Sequence, residues 1–253
     1  MLRLVIAPDG PFPFLAGVLT SPFKTFEALR RKPTWIAPIV IAVMLSMIGN
    51  AFYYWRVNPD WEQRVRTRIE KHTQTTGETM TPDQIAQQVE SAKMLGRVFI
   101  LLPAVSIPVF CLGVAGFYLI AFGLVFLRVP SFKKILSVVA WSEAAIKTAG
   151  LAIVMIVLMA IDKERLNGLE STKLVHTNLE LLLPVGISPA VKSLAASLDL
   201  FTMWFLVLVT IGLTAILGWE MQKIATWRIA SLVFGIWVSW ILIKAGVAFG
   251  FGY

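Results

Sequence analysis

Cysteine is almost missing from this chain. Cys111 stands alone, so no intrachain disulfide forms, and its place inside an apolar run is that of a small buried hydrophobe. Charge is also scarce, at 15% of residues. The two histidines, His72 and His176, lie singly in polar segments without Cys or His at metal-ligand spacing, the pattern of surface histidines. No His-Glu-x-x-His, Gly-x-Ser-x-Gly or Walker loop occurs. The expectation is a non-enzymatic protein with no metal and no cofactor.

Apolar surface is abundant instead. Hydrophobic residues make up 57% of the 253 positions, and the mean hydropathy is +0.74. A water-soluble domain of this length has no interior large enough for that, so lipid must be the solvent for much of the chain. The net charge of +8 would suggest nucleic acid in a soluble protein. Here the basic residues flank apolar runs, with no basic stripe interleaved with aromatics, so anionic headgroups are the expected partner and nucleic acid is not.

Five stretches are long enough to cross a hydrocarbon core, at residues 34–55, 98–127, 135–161, 200–219 and 227–249. The expected fold is all-α, a polytopic membrane bundle of about five helices with amphipathic helical extensions. Residues 34–253 form its membrane domain, and residues 1–33 a cytoplasmic interfacial segment. Trp35 and Trp55 bracket the first stretch about 20 residues apart, roughly 30 Å along a helix, as an aromatic belt requires. Pro103 and Pro108 mark the second. The run Leu4 to Ala7 is too short and too close to Pro8 for a signal-peptide core, so the first stretch is expected to direct insertion.

Basic residues set the orientation. Arg3, Lys24, Arg30, Arg31 and Lys32 precede the first stretch; Arg128, Lys133 and Lys134 follow the second; Lys223 and Arg228 follow the fourth. Their density puts the N-terminus in the cytoplasm and the C-terminus outside, although Arg56, Arg64, Arg66, Arg68 and Lys71 behind the first stretch pull the other way.

The polar loops 56–97 and 162–199 carry helix signals. Thr81-Pro82-Asp83-Gln84 is a capping sequence, and its helix should run unbroken into the second stretch. Ser188-Pro189 should likewise start a helix that continues into the fourth, where Asp199 is a helix N-terminal anion. Ser21-Pro22 starts an amphipathic stretch with Phe23, Phe26 and Leu29 on one side, expected to lie on the headgroups. Gly246-x-x-x-Gly250, and Gly113 with Gly116, are spacings that permit close helix contact.

Two groups of residues are candidates for function. Glu143 and Lys147 stand four apart within the third stretch, Glu first, the favourable order for a helical ion pair. Ionisable groups inside a span mark a functional site by default, yet a neutralised pair can also simply fix packing. The second group, Lys24, Arg30, Arg31, Lys32, Arg128, Lys133 and Lys134, forms a cytoplasmic face for lipid or a partner.

Several segments together resemble the Yip-domain family, five-span proteins named for interaction with Ypt/Rab GTPases. They are Thr20-Ser21-Pro22-Phe23-Lys24-Thr25-Phe26-Glu27-Ala28-Leu29 with Pro33, then Phe132-Lys133-Lys134-Ile135-Leu136-Ser137-Val138-Val139-Ala140-Trp141-Ser142, then Leu198-Asp199-Leu200-Phe201-x-x-Trp204 with Lys223. The resemblance covers roughly residues 15 to 250 and is greatest to bacterial members, which implies a bacterial inner membrane. Eukaryotic relatives carry a long polar cytoplasmic N-terminal region, act in vesicle traffic and bind prenylated Rab GTPases; with only some 33 residues before the first stretch here, that binding is not carried over. The leading expectation is a partner-binding or membrane-organising protein, with other membrane proteins or a second copy as further partners. The alternative is a small-solute or ion transporter or channel using Glu143 and Lys147.

Overall fold

The computed structural model describes residues 10–57, 60–76, 80–127, 129–161, 177–184, 187–217 and 225–251. Arg128, His176 and Lys223 lie outside them, as does the side chain of His72. Among the described residues the elements are α1 (Pro11–Thr20), α2 (Pro22–Leu29), α3 (Ile36–Val57), α4 (Trp61–Thr76), α5 (Pro82–Leu101), α6 (Pro103–Phe126), α7 (Phe132–Ala160), a 3₁₀ turn (Leu179–Leu182), α8 (Pro189–Ser197), α9 (Leu200–Leu217) and α10 (Thr226–Phe251). One isolated antiparallel bridge joins Asn178 to Asp199. Helices α3, α6, α7, α9 and α10 are long and apolar enough to cross a membrane. The protein is an all-α polytopic membrane bundle, and each of the five apolar stretches supplies one span.

Local chemistry explains the helix starts. Thr81 and Gln84 form a reciprocal capping box, Gln84 N–H donating to Thr81 Oγ1 at 3.4 Å and Thr81 N–H to Gln84 Oε1 at 2.9 Å. Helix α5 does not pass wholly unbroken into the span. Pro103 has no N–H, so the ladder is interrupted there, although Leu102 keeps helical dihedrals and its N–H donates to Val98 O at 2.9 Å. Ser188 caps α8 as its sequence suggests. That helix stops at Ser197 rather than continuing, because Asp199 starts a new one. Its Oδ2 accepts from Thr202 N–H at 2.8 Å and from Thr202 Oγ1 at 3.0 Å.

The chain divides into two compact units. The first comprises Met1–Ala42, Ile107–Gly150 and His176–Tyr253; the second comprises Val43–Ser106 and Leu151–Val175. In the first, α2 packs on α9, and α10 packs on both α8 and α9. Of the apolar window of α9, 56% is buried, against 22–28% for the other four spans, so α9 is the most enclosed of the five. Helix α7 is divided: every residue from 135 to 146 is buried, on all sides of the helix.

The second unit holds the loop 56–97, which is a helical hairpin rather than an irregular connection. Val65 and Ile69 of α4 meet Val89 of α5, with Trp61, Met80, Ile85 and Ala92 around them. Asp60 Oδ1 caps α4 by accepting from Gln63 N–H at 3.0 Å. A second cluster joins Tyr53 and Val57 of α3 to Leu158 of α7. Arg56 Nη2 donates to Ile161 O at 3.2 Å, placing a cation on the carbonyl end of α7.

Candidate functional site

The ion pair is formed. One helical turn separates Glu143 from Lys147, and Lys147 Nζ lies 3.2 Å from Glu143 Oε1. The glutamate side chain is 10% exposed and the lysine 40%, so the carboxylate belongs to the interior while the ammonium reaches out of it. Lys147 sits near the middle of the 29-residue α7, roughly 22 Å along from its first residue at the helical rise. Two buried hydroxyls lie in the same unit without a described partner, Ser142 Oγ of α7 and Thr210 Oγ1 of α9. Other helix hydroxyls bond back one turn, as Ser137 does to Lys133 O at 2.7 Å and Thr148 to Ala144 O at 2.8 Å.

The basic residues are held by a close-packed junction. Gly212 of α9 is the contact point: a Cβ there would lie 2.5 Å from Val138 Cγ1 of α7 and 3.2 Å from the Phe26 ring of α2. Trp141 ties the start of α3 to α7, its Nε1 donating to Thr34 Oγ1 at 3.2 Å, and its ring lies 4.4 Å from that of Phe14 in α1. Gly17 allows α1 to approach α2, since a Cβ would meet Thr25 Oγ1 at 2.6 Å. From this junction Lys24, Arg31, Lys32 and Lys133 emerge exposed, while Arg30 and Lys134 are half-buried and each engaged in an interaction. Arg128 lies outside the described residues.

The junction alters the expectation for α2. Phe26 and Leu29 are wholly buried against protein, and only Phe23 is left half exposed. The apolar side of this helix is therefore turned to α9 rather than to headgroups, because Gly212 opens room for the Phe26 ring. The small-residue spacings fail for a related reason. A Cβ on Gly113, Gly116, Gly246 or Gly250 would meet nothing within 4 Å, whereas the close approaches are at Gly17, Gly96 and Gly212, with a lesser one at Gly49.

The profile of the Yip1 domain matches residues 16–243. The chain belongs to the Yip1-domain family. It is similar to the membrane protein YknW of Bacillus subtilis, with 28% identity over 240 residues, 91% of this chain and 89% of that protein. No solved structure matches. The segments that carry the resemblance fall on α2, on the buried first half of α7 and on the start of α9, and two of them meet at Gly212. Helix α1, helix α4 and the junction glycines escaped the sequence reading. Trp61, Val65 and Ile69, spaced four apart, were a legible sign of α4.

Proposed function

We propose that this Yip1-domain protein is a non-enzymatic scaffold of a bacterial inner membrane. Its N-terminus and residues 1–33 lie in the cytoplasm, its C-terminus outside, and residues 34–253 form the membrane domain. Its basic collar engages anionic headgroups or an acidic surface on another membrane protein. One observation carries this reading. Lys24, Arg31, Lys32 and Lys133 are exposed cations on segments locked together through Gly212 and Trp141, so their charges are presented from fixed backbone. Preorganised charge binds with less ordering entropy to lose than charge on a free tail.

The test is photo-crosslinking in native membranes from probes at Lys24 and Lys133, read by mass spectrometry. A discrete set of lipid or protein adducts is expected, and it should disappear when Arg31, Lys32 and the unprobed lysine are reversed to Glu. Adducts indifferent to that charge reversal would sink the reading.

A second reading, a solute or ion path along Glu143 and Lys147, is supported by an ion pair within α7 whose carboxylate is held in the interior. It requires Glu143→Gln to change ion flux in proteoliposomes. Equal flux in the two proteins removes it, and leaves the pair as a packing device closed upon itself.

A further inference from the structure

The α4–α5 hairpin carries a groove of about 670 Å³, within the roughly 300–1,000 Å³ usual for small-ligand sites. Val65, Met80 and Leu95 supply its apolar lining; Arg68, Gln84, Gln87, Gln88 and Ser91 supply the polar one. No carboxylate lines it among the described residues, so its formal charge is that of one guanidinium. Of the cations beside it, Arg66 is matched with Glu62 at 2.8 Å and Lys93 with Glu90 at 2.8 Å, while Glu70 and Asp83 lie on the same two helices outside the lining. Arg68 is exposed and has no ion-pair or hydrogen-bond partner among the described residues. Gln84 accepts the Thr81 N–H on its carbonyl oxygen, and its amide NH₂ is free to donate to a ligand. Arg68 can only donate, and the glutamine amides and the Ser91 hydroxyl can donate beside it, so an anionic acceptor suits the lining.

The apolar lining does not end at the groove. Leu95 begins an exposed stripe on α5 that continues through Val98, Phe99 and Leu102 at helical spacing to Val105, where the second span begins. An occupant can therefore have its anion among the donors and its hydrocarbon along this stripe without leaving the bilayer surface. A free anion would use only the upper half.

We propose that the α4–α5 groove is a phospholipid site, in which Arg68 and the glutamine amides hold the phosphodiester and the stripe from Leu95 to Leu102 receives an acyl chain. The full-length protein in detergent is titrated with dioleoyl phosphatidylglycerol, and lipid retention is followed by native mass spectrometry. Arg68→Gln should bind about tenfold more weakly, the loss expected for one charge-assisted hydrogen bond, and Gln88→Ala should weaken binding in the same direction. Leu95→Asn should weaken the lipid by removing its chain contact. Arg66→Gln, which removes a cation outside the groove, should match wild type. Melting temperatures of all four variants check that the hairpin is intact. Equal retention in wild type and Arg68→Gln overturns the site, as does a loss equally large in Arg66→Gln. If sn-glycerol 3-phosphate alone competes as well as the lipid, the groove is a soluble-phosphate site and the assignment to lipid falls.

Discussion

Gly212 offers the sharpest test of the packing. Replacing a glycine inside a helix by alanine gains about 1 kcal/mol of intrinsic helix stability. At Gly212 the new methyl carbon would stand 2.5 Å from Val138 Cγ1 and 3.2 Å from the ring of Phe26, both wholly buried. Carbon atoms rest at about 3.5–4.0 Å, so α7 or α9 must give by about 1 Å. Valine has no flexible end to swing aside, and such overpacking costs about 1–3 kcal/mol. The net effect of Gly212→Ala is a loss of up to about 2 kcal/mol. Gly246→Ala is the contrast, since nothing lies within 4 Å of its added carbon, and it should gain up to about 1 kcal/mol. Val138→Ala removes the clashing methyl, so the double variant with Gly212→Ala should be more stable than the sum of the single changes by about 0.5–3 kcal/mol. Denaturant unfolding of the detergent-solubilised chain, followed by tryptophan fluorescence and far-ultraviolet circular dichroism, measures all four. If Gly212→Ala stabilises as much as Gly246→Ala, or the double variant is merely additive, the helices do not approach at Gly212 and the rigid collar loses its basis.

Three further perturbations follow from the same geometry. Lys147→Met leaves the buried Glu143 carboxylate without its half-exposed partner and should lower stability by about 1–3 kcal/mol, whereas pairing it with Glu143→Gln should restore most of the loss; unfolding midpoints of the single and double variants decide this. Asp199→Ala removes the cap of α9 and the acceptor of the Thr177 hydroxyl and should cost about 1–2 kcal/mol, seen as faster hydrogen exchange in the first turn of α9 and at the Leu179 amide beside it. Gly96→Val drives a side chain into the Trp61 ring, which already lies 2.5 Å from an added Cβ; hydrogen exchange in α4 should rise while that in α9 stays as in wild type, with a cost of about 1–3 kcal/mol.

What could be read in advance divides along physical lines. The spans were legible because a bilayer demands length and apolarity, both of which are one-dimensional properties. The cap at Thr81 and the pair Glu143–Lys147 were legible because each partner lies within one helical turn. The N-terminal helix was hidden by Pro11 and Pro13, which look like breakers but occupy its first turn, where a missing N–H does no harm. The end of α8 at Ser197 was hidden because the apolar pattern runs on through it; Asp199, a capping residue ahead of an apolar run, was the available sign. The glycines show the limit most plainly. Gly246 and Gly250 have the spacing of a helix contact and meet nothing, while Gly212 has no such spacing and meets two helices. Whether a small residue admits a neighbour depends on what stands opposite, which spacing along one helix does not record.

The same distinction bears on what membership in the Yip1-domain family can mean for function. Between helices in lipid no hydrophobic drive sorts partners, so close approach at small residues and buried polar contacts must fix the arrangement. Phe26, Val138, Trp141 and Ser142 all lie in segments by which the family is recognised, and all are buried. Those segments therefore report chiefly on how the bundle closes. Choice of partner has to come from side chains that reach the surface, because buried ones touch only the protein itself. On the readings proposed above, those are the cations beside the junction and the donors of the α4–α5 groove. Charge reversal at Lys24, Arg31, Lys32 and Lys133, or removal of Arg68, should accordingly change what the protein binds without changing its unfolding midpoint, while substitutions at Gly212 should do the reverse.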